Sequence, residues 1–219
     1  MSRYLYALFD LDGTLTDPGE GITKSVQYAL AKYGIHVADR TELYCFIGPP
    51  LHESFEVYYG FSREEALRAV DAYREYYAVK GIFENEVYAG IREALAALQA
   101  SGVKLCLATS KPEGYAKQIL EHFDLMRYFT AVAGSNMDGT RTKKAEVVER
   151  ALMLLGNPDV GDCVMFGDRE HDVLGGKAQG LDALGVTFGY GSEQELRAAG
   201  ADYVANSPGE IVGIIQNLH

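Results

Sequence analysis

The sequence predicts an α/β protein: a doubly wound, parallel, Rossmann-like sheet with a helical-bundle cap domain inserted near its start. Three observations support this fold class. The apolar run at 5–9 does not alternate with polar residues, as expected for a strand buried on both faces. From residue 90 onward, strand-length apolar runs alternate with helical stretches of about 10–15 residues, which is typical of parallel sheets. Residues 16–83, in contrast, carry helical patterns alone.

The inserted segment is predicted to be a small bundle of helices. Apolar residues recur at helical spacing over 21–33, and further helices are predicted over about 41–46, 51–59 and 62–79. The last of these begins with a capping box between Ser62 and Glu65. We therefore expect a helical cap domain at 16–83 and a core domain formed by 1–15 and 84–219.

The core domain is predicted to bring three polar clusters to one edge of its sheet. Strands are expected at 103–108, 131–133, 163–166 and 183–186, and a capping box between Ser192 and Glu195 precedes a last strand and helix. Right-handed crossovers place the carboxyl ends of parallel strands on one rim. The clusters at 10–14, 109–111 and 167–172 each follow a strand, so we expect them to converge there.

Composition limits the classes of partner and the compartment. A formal net charge of −11 and a pI of about 4.9 argue against a nucleic acid polymer or an anionic membrane as partner. The three cysteines, at 45, 106 and 163, have neither disulfide-framework nor zinc-site spacing. The sequence contains no apolar stretch of transmembrane length, so a cytoplasmic location is expected.

The segment Asp10-Leu11-Asp12-Gly13-Thr14-Leu15 is the strongest local signal in the sequence. Two carboxylates follow a buried strand, at the position where open α/β sheets bind ligands. Like charges this close repel each other unless a cation or a shared proton relieves them. A divalent ion that prefers oxygen ligands, most simply Mg²⁺, fits such a pair. Gly13 allows the turn, and the Thr14 hydroxyl lies close to both acids.

This segment resembles the first motif of the haloacid dehalogenase-like superfamily of phosphohydrolases, and the whole chain is similar to its phosphoglycolate phosphatase-like branch. The resemblance implies that Asp10 is a nucleophile that becomes phosphorylated and that Asp12 is the general acid and base. It also implies a Mg²⁺ ion held by Asp10, the Asp12 carbonyl and a distant aspartate. Gly13 and Thr14 would then form part of the phosphate-binding loop.

Two further clusters supply candidate phosphate-binding residues. Thr109 and Ser110 follow a strand and precede a helix, where a hydroxyl and backbone N–H groups suit a phosphate oxygen. Capping of that helix by Ser110 is the alternative. The resemblance implies phosphate binding by this second motif, in which Thr109 or Ser110 could carry the hydroxyl and the usual pattern favours Thr109. Lys143 and Lys144 precede another helix, and the family's third motif is a lysine at such a place. Lys144 has the better spacing to the apolar pair that follows, but Lys143 stays open.

The cluster Gly167-Asp168-x-x-x-Asp172 completes the predicted site. Asp168 ends a strand and is expected beside Asp10, and Asp172 falls one helical turn later. The resemblance implies that Asp168 is a Mg²⁺ ligand and that Asp172 is a supporting acid. His171 is expected to be solvated or to cap a helix rather than to act as a base.

These assignments predict a Mg²⁺-dependent phosphatase acting on a small phosphorylated metabolite. Phosphoglycolate, a sugar phosphate and a nucleotide are all open as substrates, because one fold serves many specificities. A phosphosugar mutase and an inorganic pyrophosphatase are the enzymatic alternatives, and a phospho-aspartate regulatory protein is the non-enzymatic one. The sequence leaves open whether the chain is a monomer or a homodimer.

Overall fold

The computed structural model describes residues 3–217, in two units. One unit contains the residues up to Thr16 and those from Val87 onward, and the other is Asp17–Glu86. The boundaries predicted from the sequence, 15/16 and 83/84, lie one and three residues earlier. Residues 1, 2, 218 and 219 of the predicted core lie outside the described part of the chain.

A six-stranded sheet forms the centre of the first unit. Its strands are β1 (Tyr6–Phe9), β4 (Lys104–Pro112), β5 (Phe129–Ser135), β6 (Cys163–Gly167), β7 (Asp182–Val186) and β8 (Tyr203–Ala205). They lie in the order β5-β4-β1-β6-β7-β8, and every neighbouring pair is parallel. The crossover places β1 at the centre, where the order of strands reverses. Two short strands, β2 (Thr16–Asp17) and β3 (Glu86–Val87), pair separately where the chain passes between the units.

Helices cover both faces of this sheet. They are α4 (Ile91–Ala100), α5 (Glu113–His122), α6 (Lys144–Leu154), α7 (Glu170–Ala178), α8 (Glu193–Ala198) and α9 (Pro208–Asn217). Leu8 and Met165 pack in a cluster with Val147 and Val148 of α6. The neighbouring Phe9 points to the opposite face and is also buried, as strand alternation requires. Burial on both faces explains why β1 has no alternating pattern.

The second unit is a helical bundle, as predicted. It contains α1 (Gly19–Ala31), α2 (Leu51–Tyr59) and α3 (Arg63–Tyr77), with a 3₁₀ helix at Arg40–Phe46. In its core, the ring centroids of Phe46 and Phe55 lie 4.9 Å apart. The predicted capping box is present: Ser62 Oγ accepts from the Glu65 N–H, and Glu65 Oε2 accepts from the Ser62 N–H at 2.9 Å. The predicted α/β class with a parallel sheet and a helical insertion is confirmed.

Several local predictions need correction. The segment predicted as a helix at 41–46 is the 3₁₀ helix, whose first turn is capped by Asp39. The strand predicted at 103–108 continues to Pro112 through a register shift, and that predicted at 131–133 spans Phe129–Ser135. Only half of the second capping box forms: Ser192 caps α8, but Glu195 Oε1 instead accepts from Arg169 Nε at 2.8 Å. That carboxylate is drawn away by a stronger, charge-assisted partner.

Among residues 3–217, the structure contains no helix that is both long enough and apolar enough to cross a membrane.

Candidate active site

Strand register brings the predicted acids together. Phe9 lies level with Leu107 on one side and with Phe166 on the other. Asp10 is therefore the first residue beyond β1, its N–H still donating to the Phe166 carbonyl at 2.9 Å. Asp168 follows the last residue of β6 at the same rim.

Asp10 is held by a buried lysine. Lys144 Nζ donates to Asp10 Oδ1 at 2.7 Å, lies 2.7 Å from Asp172 Oδ1, and donates to the Ala108 carbonyl at 3.1 Å. The side chains of Lys144, Asp10 and Asp172 are 5%, 7% and 4% exposed. Burial alone would lower the pKa of Lys144, but the charges of Asp10 and Asp172 outweigh it and raise that pKa. Lys144 is thus a fixed cation between two carboxylates.

Lys144, rather than Lys143, is the lysine that enters the site. Lys143 is the N-cap residue of α6 and is exposed, whereas Lys144 is the first residue of the helix and is buried. The stem of Lys144 crosses Gly175 of α7 so closely that a Cβ built on Gly175 would lie 2.5 Å from Lys144 Cγ. The two helices can approach this closely because residue 175 has no side chain.

Asp168 is fixed by a glycine-rich loop. Its Oδ2 accepts from the Tyr190 N–H at 2.8 Å, and its Oδ1 is buried with no hydrogen-bond partner among the described residues. A Cβ at Gly189 would lie 2.1 Å from the Gly13 carbonyl oxygen and 2.5 Å from Asp168 Oδ2. Burial, followed by the charge of Asp172, raises the pKa of Asp168 well above its ordinary value.

The donor set at the rim suits a divalent cation. Asp10, Asp168 and Asp172 each offer a carboxylate oxygen, and these oxygens lie within 4.8 Å of one another. Both oxygens of Asp172 have partners: Oδ1 contacts Lys144, and Oδ2 accepts from the Arg169 N–H at 3.1 Å. The unpartnered Asp168 Oδ1 is buried in this cluster, where an anionic oxygen is costly without a partner. A hard cation with oxygen ligands, such as Mg²⁺, fits this arrangement.

Asp12 lies outside that carboxylate cluster and has its own lysine. Lys111 Nζ donates to Asp12 Oδ2 at 2.5 Å, and the two side chains are 6% and 11% exposed. Burial raises the pKa of Asp12, while the charge of Lys111 opposes that rise. The side chain of Asp12 therefore contacts Lys111 and is not one of the three carboxylates of the cation cluster.

The other predicted residues are placed as follows. Thr109 is buried, and its Oγ1 accepts from the Lys111 N–H at 3.2 Å. Ser110 is half-buried and does not cap α5, whose N-cap residue is Pro112. Gly13 has a φ of +83°, a conformation that favours glycine. The buried Thr14 Oγ1 has no hydrogen-bond partner in the described chain.

Two contributors to the site were not predicted from the sequence. Lys111 belonged to a polar cluster already singled out, but nothing in the pattern paired it with Asp12, from which it is separated by 99 positions. The glycines at 189 and 191 entered none of the predictions, although a Cβ at Gly191 would lie 1.8 Å from the Asp168 carbonyl oxygen. His171 is exposed, as expected.

Comparison with known proteins gives consistent matches. A family model described as haloacid dehalogenase-like hydrolase matches residues 7–186. A 5'-nucleotidase from Pseudomonas aeruginosa PAO1 is 50% identical over 196 residues, which cover 90% of this chain and 88% of that protein. The tyrosine-protein kinase PtkA of Mycobacterium tuberculosis H37Rv is 42% identical over 185 residues, covering 84% of this chain and 62% of that protein. The crystal structure of a predicted phosphatase from Clostridium acetobutylicum has a TM-score of 0.96 at 50% identity, covering 99% of this chain and all of that one.

Proposed function

The chain belongs to the haloacid dehalogenase-like hydrolase family and is a phosphatase, and from this premise we propose that it hydrolyses small phosphomonoesters through a phosphorylated Asp10, with Mg²⁺ as cofactor. One observation carries the proposal. Asp10 and Asp12 are two residues apart, yet each carboxylate is held by a different buried lysine. The same loop thus offers one acid that belongs to the cation cluster and a second acid that lies outside it.

The reaction needs two steps. An oxygen of the Asp10 carboxylate attacks phosphorus, and the bond from phosphorus to the ester oxygen breaks as Asp12 gives that oxygen a proton. A water oxygen then attacks the phosphorus of the aspartyl-phosphate while Asp12 takes the proton, and the bond to Asp10 breaks. Lys144, which donates to Asp10 Oδ1, would stabilise negative charge on the phosphoryl oxygens. Thr109 and the 13–14 turn are the candidate phosphate contacts.

Mg²⁺ would be held by Asp10 and Asp168, with Asp172 as the supporting acid and the Asp12 carbonyl as a further ligand. When bound, the ion supplies Lewis-acid stabilisation of the phosphoryl oxygens and neutralises the carboxylates. Lys144 keeps Asp172 and Asp10 in fixed positions. The Tyr190 N–H orients Asp168 through Oδ2 and leaves Oδ1 available.

Nucleoside 5'-monophosphates are the substrates to test first. The support is the 50% identity to a protein named 5'-nucleotidase, over 90% of this chain. Phosphoglycolate, sugar phosphates and pyrophosphate are the other arms of the same panel. The kinase relative adds one more arm, in which ATP and a tyrosine-containing peptide replace the monoester.

The test is phosphate release over that panel, with Mg²⁺ and with EDTA. We expect Mg²⁺-dependent release from at least one alkyl phosphate, and its loss in Asp10→Asn. Asp124→Asn is the matched control, because the Asp124 side chain is 69% exposed and takes no part in the site. Activity that survives Asp10→Asn would reject the mechanism. Turnover that requires a bisphosphate activator would indicate a mutase, and phosphorylation without turnover would indicate a regulator.

A further inference from the structure

The contact between Lys111 and Asp12 supports an inference about how the proton-transferring acid is oriented, and this inference rests on the proposed function. We propose that Lys111 is a positioning residue: it holds one oxygen of the Asp12 carboxylate and thereby presents the other, Oδ1, for proton transfer to and from the substrate. Lys111 itself transfers no proton and forms no bond to the substrate.

The two oxygens of Asp12 have different surroundings. Oδ2 accepts from Lys111 Nζ at 2.5 Å, whereas Oδ1 is buried and has no hydrogen-bond partner among the described residues. The terminal torsion of an aspartate is broad and roughly two-fold, so a carboxylate without an anchor can exchange its oxygens. A charge-assisted contact to one oxygen removes that freedom. Lys111 therefore determines which oxygen of Asp12 is available.

The backbones on both sides of the pair are fixed. The Asp12 segment forms a bridge to Thr16, and the Gly13 N–H donates to the Thr16 carbonyl at 2.8 Å. Lys111 lies in the part of β4 where the register with β5 shifts. Its N–H donates to Thr109 Oγ1 at 3.2 Å. Two ordered segments thus aim the lysine and the acid at each other.

The anchor also keeps the two acids of the loop in separate roles. Lys144 contacts Asp10 and Asp172, whereas Lys111 contacts Asp12, so each acid of the loop has its own cation. With Lys111, the proton on Oδ1 goes to the ester oxygen in the first step, and Oδ1 receives a proton from water in the second. The ammonium keeps its own protons throughout.

The experiment compares two leaving groups. The variants are Lys111→Met, Lys111→Arg and Asp12→Asn, and the substrates are the fastest alkyl phosphate of the panel and p-nitrophenyl phosphate. An alkoxide needs a proton to leave, whereas p-nitrophenolate leaves as a stable anion. The quantity compared is kcat/KM, which covers binding and loss of the leaving group but excludes the later hydrolysis of aspartyl-phosphate.

We expect a loss that depends on the leaving group. In Lys111→Met, kcat/KM for the alkyl phosphate should fall about 10–100-fold, while that for p-nitrophenyl phosphate changes less than about 3-fold. Asp12→Asn should show the same selectivity. Adding Lys111→Met to Asp12→Asn should change either value less than about 2-fold, because the two residues act as one unit. If Lys111→Met does not fold, Lys111→Arg carries the test, since it keeps the charge but displaces the carboxylate.

Equal losses for the two substrates would overturn the inference, since a structural or phosphate-binding lysine affects both alike. No loss would overturn it too. Lys117→Met is the matched control, because Lys117 is an exposed lysine paired with Glu113 on the next helix. If the unchanged enzyme releases phosphate from no alkyl ester, the proposed function itself fails and this inference falls with it.

Discussion

Replacement of Lys144 by methionine should lower the free energy of unfolding, because two buried carboxylates lose the cation that pairs with them. Methionine keeps most of the stem that packs on Gly175 but removes the cation from Asp10 and Asp172, which are 7% and 4% exposed. Removing one partner of a buried ion pair costs about 3–5 kcal/mol, because the remaining charge stays buried and unpaired. At roughly 2–4 °C per kcal/mol for a chain of this size, Tm should fall by about 6–20 °C.

The assay is thermal unfolding in EDTA and again with Mg²⁺, alongside phosphate release. Mg²⁺ should recover part of the lost Tm, since it supplies positive charge to the same carboxylates, whereas kcat should stay at least about 100-fold low. Lys143→Met is the matched control, because Lys143 is exposed and its replacement should change stability by less than about 0.5 kcal/mol. Asp172→Asn added to Lys144→Met should restore part of the Tm. A Lys144→Met protein that melts like the unchanged one would refute this account.

Three other predictions test neighbouring features. Asp168→Asn should raise Tm in EDTA, since it relieves repulsion among buried carboxylates, while it abolishes the Mg²⁺-induced rise in Tm and lowers activity at least about 100-fold. Gly189→Ala should lower both Tm and Mg²⁺ affinity, because its Cβ would lie 2.1 Å from the Gly13 carbonyl oxygen. Burial raises the pKa of Cys106 to about 12, and burial together with nearby acids raises the pKa of Cys163 to about 11. Iodoacetamide at pH 8 should therefore leave both thiols of the folded protein unmodified. Labelling should increase as the pH rises or as urea unfolds the chain.

Each of these has a contrary outcome. A Mg²⁺-induced rise in Tm that persists in Asp168→Asn would remove that residue from the cation site. A Gly189→Ala protein with unchanged Tm and unchanged Mg²⁺ affinity, measured by calorimetry, would show that the loop can accommodate the added Cβ. Gly114→Ala is the control, because a Cβ there meets nothing within 4 Å. Rapid labelling of Cys106 at pH 8, mapped by peptide mass spectrometry, would contradict its burial.

The parts of the site that follow from strand register were predictable from the sequence. Asp10 and Asp168 both follow apolar runs, and parallel strands with right-handed crossovers bring such positions to one rim. From the sequence, the lysine that contacts Asp10 could be narrowed only to Lys143 or Lys144. The two are neighbours at the start of α6, and only the structure shows that Lys144 is buried and Lys143 exposed. The family resemblance supplied the roles, and the structure supplies the distances.

Other parts depend on contacts that a linear pattern does not contain. Lys111 meets Asp12 because β4 continues beyond Ala108 through a register shift, whereas its apolar run ends at that residue. The backbone N–H of Tyr190 donates to the Asp168 carboxylate, and a contact made by a backbone group leaves no signal in the pattern of side chains. Glu195 has the spacing of a capping box but bonds Arg169, a residue distant in sequence. In each case a tertiary partner outweighs the local preference.

The two lysines also have a consequence for the order in which ligands arrive. With all of their carboxyl groups ionised, the aspartates at 10, 12, 168 and 172 carry four negative charges, which the two ammonium groups reduce to a formal surplus of two in the loop cluster. A phosphomonoester dianion approaching first would meet that surplus as a repulsive field, within a chain whose overall charge is already −11. One divalent ion cancels it. We therefore expect ordered kinetics, with the ion as the compulsory first ligand and the ester as the second.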